Sequence, residues 1–193
     1  MLENLDKYDV ILASKSPRRQ ELLAEMGVKF RVMTRDVVED FPSSLPAADV
    51  PAFLSRKKAA AFEKNELPEN HLIIASDTVV IIDNQILGKP KDADDATRML
   101  RLLSGKTHEV VSGVTIKTKD ITETFSAVSD VSFNTLNDNE IRFYIEKYHP
   151  FDKAGAYGVQ EWIGYIGVSA VKGSFYNVMG LPTQMLYQTL KKF

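Results

Sequence analysis

Leu12 to Leu23 reads LASKSPRRQELL, and this stretch decides the fold. The apolar run Val10-Ile11-Leu12 ends in small polar residues, Ser14 and Ser16. Pro17, Arg18 and Arg19 follow, then the helically spaced apolar residues Leu22, Leu23 and Met26. The pattern predicts a strand, a tight loop and a helix. Ser16 suits the N-cap, and Pro17 the first helical position, where its missing N–H costs nothing. Two cations at a helix N-terminus oppose the helix dipole by roughly 0.3–1 kcal/mol each. Exposed N–H groups, two hydroxyls and two guanidiniums at one helix start suit a phosphate. A capped helix with two solvated arginines reads the same stretch as well.

Working outward, Lys7 to Ala13 is the expected first strand. The helix runs to about Met26 and stops at Gly27. Lys29 to Met33 alternates as a second strand. Asp36 to Asp49 is loop-like and carries Glu39 and Asp40, either metal ligands or solvated acids. Val50 to Phe62 is helical, with Pro51 in its first turn and the basic run Arg56-Lys57-Lys58 within it, a pattern usual for a solvated face. Leu72 to Ala75 and Val79 to Ile82 are apolar β runs on either side of Ser76-Asp77-Thr78. An aspartate there is costly to bury unless it is paired or metal-bound, which makes Asp77 the leading carboxylate candidate. A strand-end aspartate acting as a local cap is the alternative. Asp83-Asn84 is a hairpin turn that returns through Gln85 to Leu87 toward Gly88-Lys89-Pro90, where Lys89 is placed to reach a ligand or to serve as an ordinary loop lysine.

Asp92 or Asp94 caps the next helix, whose apolar face is Met99, Leu100 and Leu103, and Gly105 ends it. Ser104-Gly105-Lys106-Thr107 is not a Walker A loop. That motif needs a glycine where Leu100 stands, and it opens a helix instead of closing one. His108 to Lys117 and Ile121 to Leu136 form a long hairpin around Lys119-Asp120. Asn137 and Glu140 make a capping box for a helix that buries Ile141, Tyr144 and Ile145 and ends at Pro150. Asp152 to Gly173 is glycine-rich and reads as a β-rich loop or a ligand-approaching segment. Gln160 within it offers an amide that can read a base edge. Gly180-Leu181-Pro182 starts a last helix, with Met185, Leu186 and Leu190 inward.

Composition narrows the function classes. The 193 residues are 44% hydrophobic and 26% charged, which suits one globular domain over 1–193. A net charge of −2 argues against nucleic-acid binding. The absence of cysteine removes disulfides and thiolate metal sites. His71, His108 and His149 have no zinc-ligand spacing, and there is no GxGxxG or GxSxG. No apolar stretch approaches a membrane span and the first residues lack a signal-peptide plan, so a cytoplasmic protein without membrane association is expected.

Several motifs together resemble the Maf nucleotide pyrophosphatases. They are LASKSPRR (12–19), RKKA (56–59), ASDTVV (75–80), GKP (88–90), LSGKTHEVVSGV (103–114), DKAGAYGVQ (152–160) and VMGLP (178–182), in the family's order over nearly the whole chain. The resemblance implies an α/β fold similar to the ITPase-like pyrophosphatases: a long, mixed, twisted sheet flanked by helices, with a cleft between two lobes. It implies a homodimer, a divalent cation (Mg²⁺ or Mn²⁺), and cleavage of a nucleoside triphosphate to monophosphate and pyrophosphate. DKAGAYGVQ is similar to the branch acting on dTTP and UTP. By that resemblance Asp77 is the catalytic carboxylate, and Arg18, Thr78 and Gln160 set base preference. Ser14, Arg19, Lys58 and Lys89 line the phosphate site, and Glu39 joins Asp77 at the metal. Glu161 stands where the family often has glycine, and Ser76 where it commonly has alanine. Within the resemblance, 7-methyl-GTP is the other substrate, and a non-catalytic nucleotide-binding regulator of cell division is the other function.

Overall fold

A computed structural model describes residues 2–193. In chain order its principal elements are β1 (Asp9–Leu12), α1 (Pro17–Glu25), β2 (Arg31–Val32), α2 (Val50–Ala60), β3 (His71–Ile82), β4 (Gln85–Leu87) and α3 (Ala93–Leu103). After these come β5 (Thr107–Lys117), β6 (Thr122–Phe133), α4 (Asp138–Tyr148), α5 (Trp162–Gly167), β7 (Val168–Lys172), α6 (Phe175–Met179) and α7 (Thr183–Leu190). Among the described residues the seven strands form one mixed sheet in the order β2-β1-β3-β5-β6-β7, with β4 paired to β3. β1 runs parallel to β2 and β3, with Leu12 opposite Val32 and Ile74. β4 and β7 run antiparallel to β3 and β6. The chain is therefore α/β, as its sequence predicts.

Local chemistry explains the element ends. Ser16 Oγ caps α1 by accepting from the Arg19 N–H, and Gly27 takes φ +75° just past the helix. Asp92, the first of the two candidate caps, accepts from the Asp95 N–H at 2.8 Å. Asn137 and Glu140 form the full capping box. Asp83 and Asn84 both have positive φ, the backbone that a two-residue hairpin turn requires.

Four expectations are corrected. Asp77 does not end a strand: β3 runs unbroken for 12 residues and is buried almost throughout. Strands covered on both faces read as continuous apolar runs, so the polar triplet interrupts the pattern but not the strand. β2 keeps only two exposed residues of the expected five, as befits an edge. The glycine-rich segment holds α5 as well as β7, and α6 follows it. Met185 is 38% exposed, while Leu186 and Leu190 are fully buried.

The chain divides into two compact units. The first comprises Met1–Asp77, Ser112–Ala127 and Gly180–Phe193, and the second Thr78–Val111 and Val128–Met179. Three of the four boundaries fall inside β3, β5 and β6, and the fourth lies between α6 and α7. In the first unit Ile11, Ile73, Ala75, Ala59 and Phe62 pack together, which lays α2 against β1 and β3. α2 is further fixed by Ser55 Oγ, 2.8 Å from Thr115 Oγ1 on β5. The core of the second unit gathers Val80 and Ile82 from β3, Met99, Leu100 and Leu103 from α3, and Ile141, Tyr144 and Ile145 from α4.

His108 lies inside that second core, 2% exposed, with Nε2 2.7 Å from the Tyr157 hydroxyl and the Phe133 ring edge-on at 5.3 Å. Its buried Nδ1 has no hydrogen-bond partner. Burial lowers the imidazole pKa from 6.5 to about 4. Above 6.5 the ring is neutral both folded and unfolded. Below it the unfolded chain takes up a proton that the folded chain refuses, so stability falls with pH until about 4. Urea denaturation at pH ~7 and ~4.5 is expected to show a loss that is smaller by about 2 kcal/mol in His108→Gln, which lacks this titration. Equal losses in the two proteins would refute the assignment.

Candidate active site

The first unit holds six of the sequence-predicted residues, Ser14, Arg18, Arg19, Glu39, Lys58 and Asp77, and pairs two of them with Lys58. α2 places the Lys58 side chain inward, 17% exposed, so it does not belong to a solvated face. Its Nζ lies 2.5 Å from Asp77 Oδ1 and 2.7 Å from Glu39 Oε1. One ammonium thus bridges a carboxylate from the middle of β3 and a carboxylate from the loop before α2. Asp77 is 8% exposed, and the pairing offsets part of the cost of burying its charge. One residue earlier on α2, Lys57 pairs with Asp40, so adjacent lysines tether adjacent acids of the loop.

Ser14 and Arg19 complete this group. Ser14 Oγ accepts from the Ser16 N–H at 3.2 Å and from Arg19 Nη1 at 3.4 Å. Arg19 Nη1 also donates to the Ser76 carbonyl at 2.8 Å, and Nε to the Gly180 carbonyl at 2.9 Å. Much of its hydrogen-bonding capacity therefore goes to holding three chain segments together, a use no sequence spacing reveals. Burial lowers the Arg19 pKa, opposed by the charge of Asp77, then lowered further by Arg18 and raised by Glu39. Arg18, Asp77 and Glu39 thus all act on the charge of Arg19.

Ser76, the departure from the family pattern beside Asp77, has a fully buried hydroxyl without a hydrogen-bond partner. Such a group costs about 1–3 kcal/mol against an apolar side chain of similar size.

The other three predicted residues belong to the second unit. Thr78 follows Asp77 on β3 and is half-buried. Lys89 is exposed on the segment after β4. Gln160 is half-buried in a turn closed by the Glu161 N–H to the Gly158 carbonyl at 3.0 Å.

Two oxygen-donor carboxylates converging on a single cation suit a hard divalent ion that keeps waters and takes further oxygens from phosphate. Among the described residues there is no cluster of three or more His, Asp or Glu side chains able to hold a metal alone. Asp77 and Glu39 fit a metal that arrives with a phosphate ligand, and fit poorly as an independent cage.

The dTTP/UTP pyrophosphatase of Bacteroides thetaiotaomicron is 53% identical over 193 residues, covering 100% of both chains. The dTTP/UTP pyrophosphatase of Porphyromonas gingivalis strain W83 is 52% identical over 195 residues, covering 100% of this chain and 98% of its own. The solved structure of the Staphylococcus aureus Ham1 protein covers 94% of this chain and 99% of its own with a TM-score of 0.53 at 17% identity, a likeness of fold alone. A family model described as Maf-like protein matches residues 9–193. With its motifs in order, its mixed sheet and near-complete coverage, the chain belongs to the Maf-like protein family.

Proposed function

We propose that this protein hydrolyses dTTP and UTP to the monophosphate and pyrophosphate. The observation that carries the reading is the Lys58 ammonium bridging Asp77 and Glu39 beside the arginine-bearing start of α1. Full-length relatives that share about half the sequence supply the substrate class. Carboxylates alone repel a triphosphate, and arginines alone only bind one. The two together suit a site that holds polyphosphate and activates water on it.

In this reading Arg18 and Lys58 neutralise phosphate oxygens, and Ser14 and Arg19 hold the loop that presents them. Reactions of this type depend mainly on positioning and charge stabilisation. Asp77 orients the attacking water and accepts its proton. The water supplies the oxygen that ends on the monophosphate, and the bond between the α and β phosphates breaks to release pyrophosphate. Asp77 and Glu39 would hold Mg²⁺ or Mn²⁺, which when bound neutralises phosphate charge and makes water more acidic. Gln160 reads the pyrimidine edge, with Thr78 beside Asp77 and Lys89 in the supporting roles that the family resemblance implies. The reading includes a homodimer on that same ground.

The test is an endpoint assay of purified protein with dTTP, UTP, CTP, GTP and 7-methyl-GTP, with and without Mg²⁺ or Mn²⁺. Monophosphate plus pyrophosphate is separated from diphosphate plus phosphate. The expected result is dTMP or UMP with pyrophosphate, dependent on the metal. Preferred turnover of 7-methyl-GTP would overturn the pyrimidine reading. Folded protein that turns over none of the nucleotides would overturn catalysis and favour a nucleotide-binding regulator. No helix among the described residues is long and apolar enough to cross a membrane.

A further inference from the structure

Lys153, Tyr144 and the half-buried Glu161 form a polar network in the second unit that the proposed reaction does not use. Tyr144, on α4, is completely buried. Its hydroxyl accepts from the Gly158 N–H at 3.0 Å and donates to Glu161 Oε2. The other carboxylate oxygen, Oε1, takes the Lys153 ammonium at 3.1 Å, and Lys153 is 8% exposed. Lys153 also reaches Asp152 at 2.7 Å. The Lys153–Glu161 pair thus joins the two ends of the DKAGAYGVQE segment, and Tyr144 ties both Glu161 and Gly158 to α4.

What it encloses is the turn that carries Gln160. Gly158, Val159, Gln160 and Glu161 form a four-residue turn closed by the 3.0 Å bond from the Glu161 N–H to the Gly158 carbonyl. The Glu161 carboxylate lies against the Gly158 α-carbon so closely that a Cβ there would stand 2.8 Å from Glu161 Cδ. Beyond the turn, the Gly164 N–H bonds the Glu161 carbonyl at 2.8 Å. A Cβ on Gly164 would come within 1.9 Å of the Val159 carbonyl oxygen. The turn is therefore gripped on both sides: by the carboxylate on one and by α5 on the other.

We propose that Glu161 is a specificity-determining positioning residue, acting through Tyr144 and Lys153 to fix the turn that presents Gln160 to the base. The inference rests on the reading of Gln160 as the base-contacting residue. A carboxamide is ambivalent toward pyrimidines. In one orientation its oxygen accepts the N3–H of uracil or thymine while its NH₂ donates to a carbonyl. Turned over, it donates to N3 of cytosine and accepts from the exocyclic amine. The amide turns over about its own Cγ–Cδ bond, so selectivity for one pattern also depends on where the backbone sets it against the base, and a fixed turn holds that position. A network whose members are mutually satisfied supplies that rigidity. Releasing the turn admits cytosine, while the phosphate chemistry of the first unit keeps its own residues intact.

The experiment measures kcat and KM for UTP and CTP in the parent, Gln160→Ala, Glu161→Ala, Glu161→Gln and Tyr144→Phe, with a melting curve for each. Glu161→Ala and Tyr144→Phe are each expected to lower the UTP-over-CTP ratio of kcat/KM by about tenfold, with kcat for UTP within about twofold of the parent. Glu161→Gln keeps an acceptor for the Tyr144 hydroxyl and is expected to restore most of the ratio. Tyr144→Phe removes one hydroxyl without changing shape, so the result stands even where Glu161→Ala melts early. A flattened profile in Gln160→Ala, with the full ratio retained in folded Glu161→Ala and Tyr144→Phe, overturns this inference and leaves the role of Gln160 standing. An unchanged profile in Gln160→Ala overturns the base-reading role itself, and the inference with it.

Discussion

Asp77→Asn is expected to fold normally and to lower UTP turnover by about a thousandfold, the loss that follows removal of a well-placed proton acceptor. Asparagine has the size of aspartate, so β3 keeps its packing between the apolar residues Ile73, Ile74, Val79 and Val80. Lys58 keeps Glu39 at 2.7 Å, so its ammonium is not stranded. The change removes one negative charge and a proton acceptor, and little else. Measuring kcat for UTP beside a melting curve separates the two effects. Near-parental kcat would show that the proton leaves by another route, and a lowered melting temperature with the same lost activity would mark Asp77 as structural.

Gly113→Ala is expected to destabilise the first unit by about 3 kcal/mol or more, the upper range for forcing volume into a packed interior. A Cβ at this position of β5 would lie 2.2 Å from Ala52 N and from the Pro51 carbonyl carbon. Both are backbone atoms at the start of α2, which no rotamer change can move aside. α2 would have to shift bodily, and Lys58 two turns further along would shift with it. Turnover is therefore expected to fall together with stability, in a variant 55 positions away in sequence from the residue it displaces. Urea unfolding within 1 kcal/mol of the parent would show that the strand yields instead.

Much of this architecture is legible in the sequence because local chemistry decides it. Ser16-Pro17, Asp92, Asn137 with Glu140, and Asp83-Asn84 act within four residues of themselves, and each forms the cap or turn its pattern predicts. Asp77 stands out for a similar reason: a charge among apolar β residues demands a partner. The misses are non-local. That β3 passes unbroken through Asp77 depends on cover from both faces. α5 contains Gly164 and Gly167, poor helix formers; at Gly164 the Val159 carbonyl leaves no room for a side chain, and at Gly167 a Cβ would press on the end of Leu136. α6 has five residues and no periodicity to read. Lys58 among three consecutive basic residues gains its meaning only when β3 and the loop before α2 arrive beside it. The hydrogen bonds of the Arg19 guanidinium to the carbonyls of Ser76 and Gly180 likewise join segments far apart in sequence.

The ends of the sheet govern how the protein behaves in a crowd of its own copies. Exposed strand edges are templates for intermolecular pairing, and the defences against them are shortness, charge and irregularity. β2 offers two residues, one of them Arg31, whose guanidinium is tied back to Asp9. β7 offers five, with Lys172 reaching into solvent, and its register against β6 is broken between Ser132 and Phe133. Neither border presents a long, flat, apolar row. A sheet that carries a 12-residue hydrophobic strand at its centre is thereby blunted where fibril growth would begin.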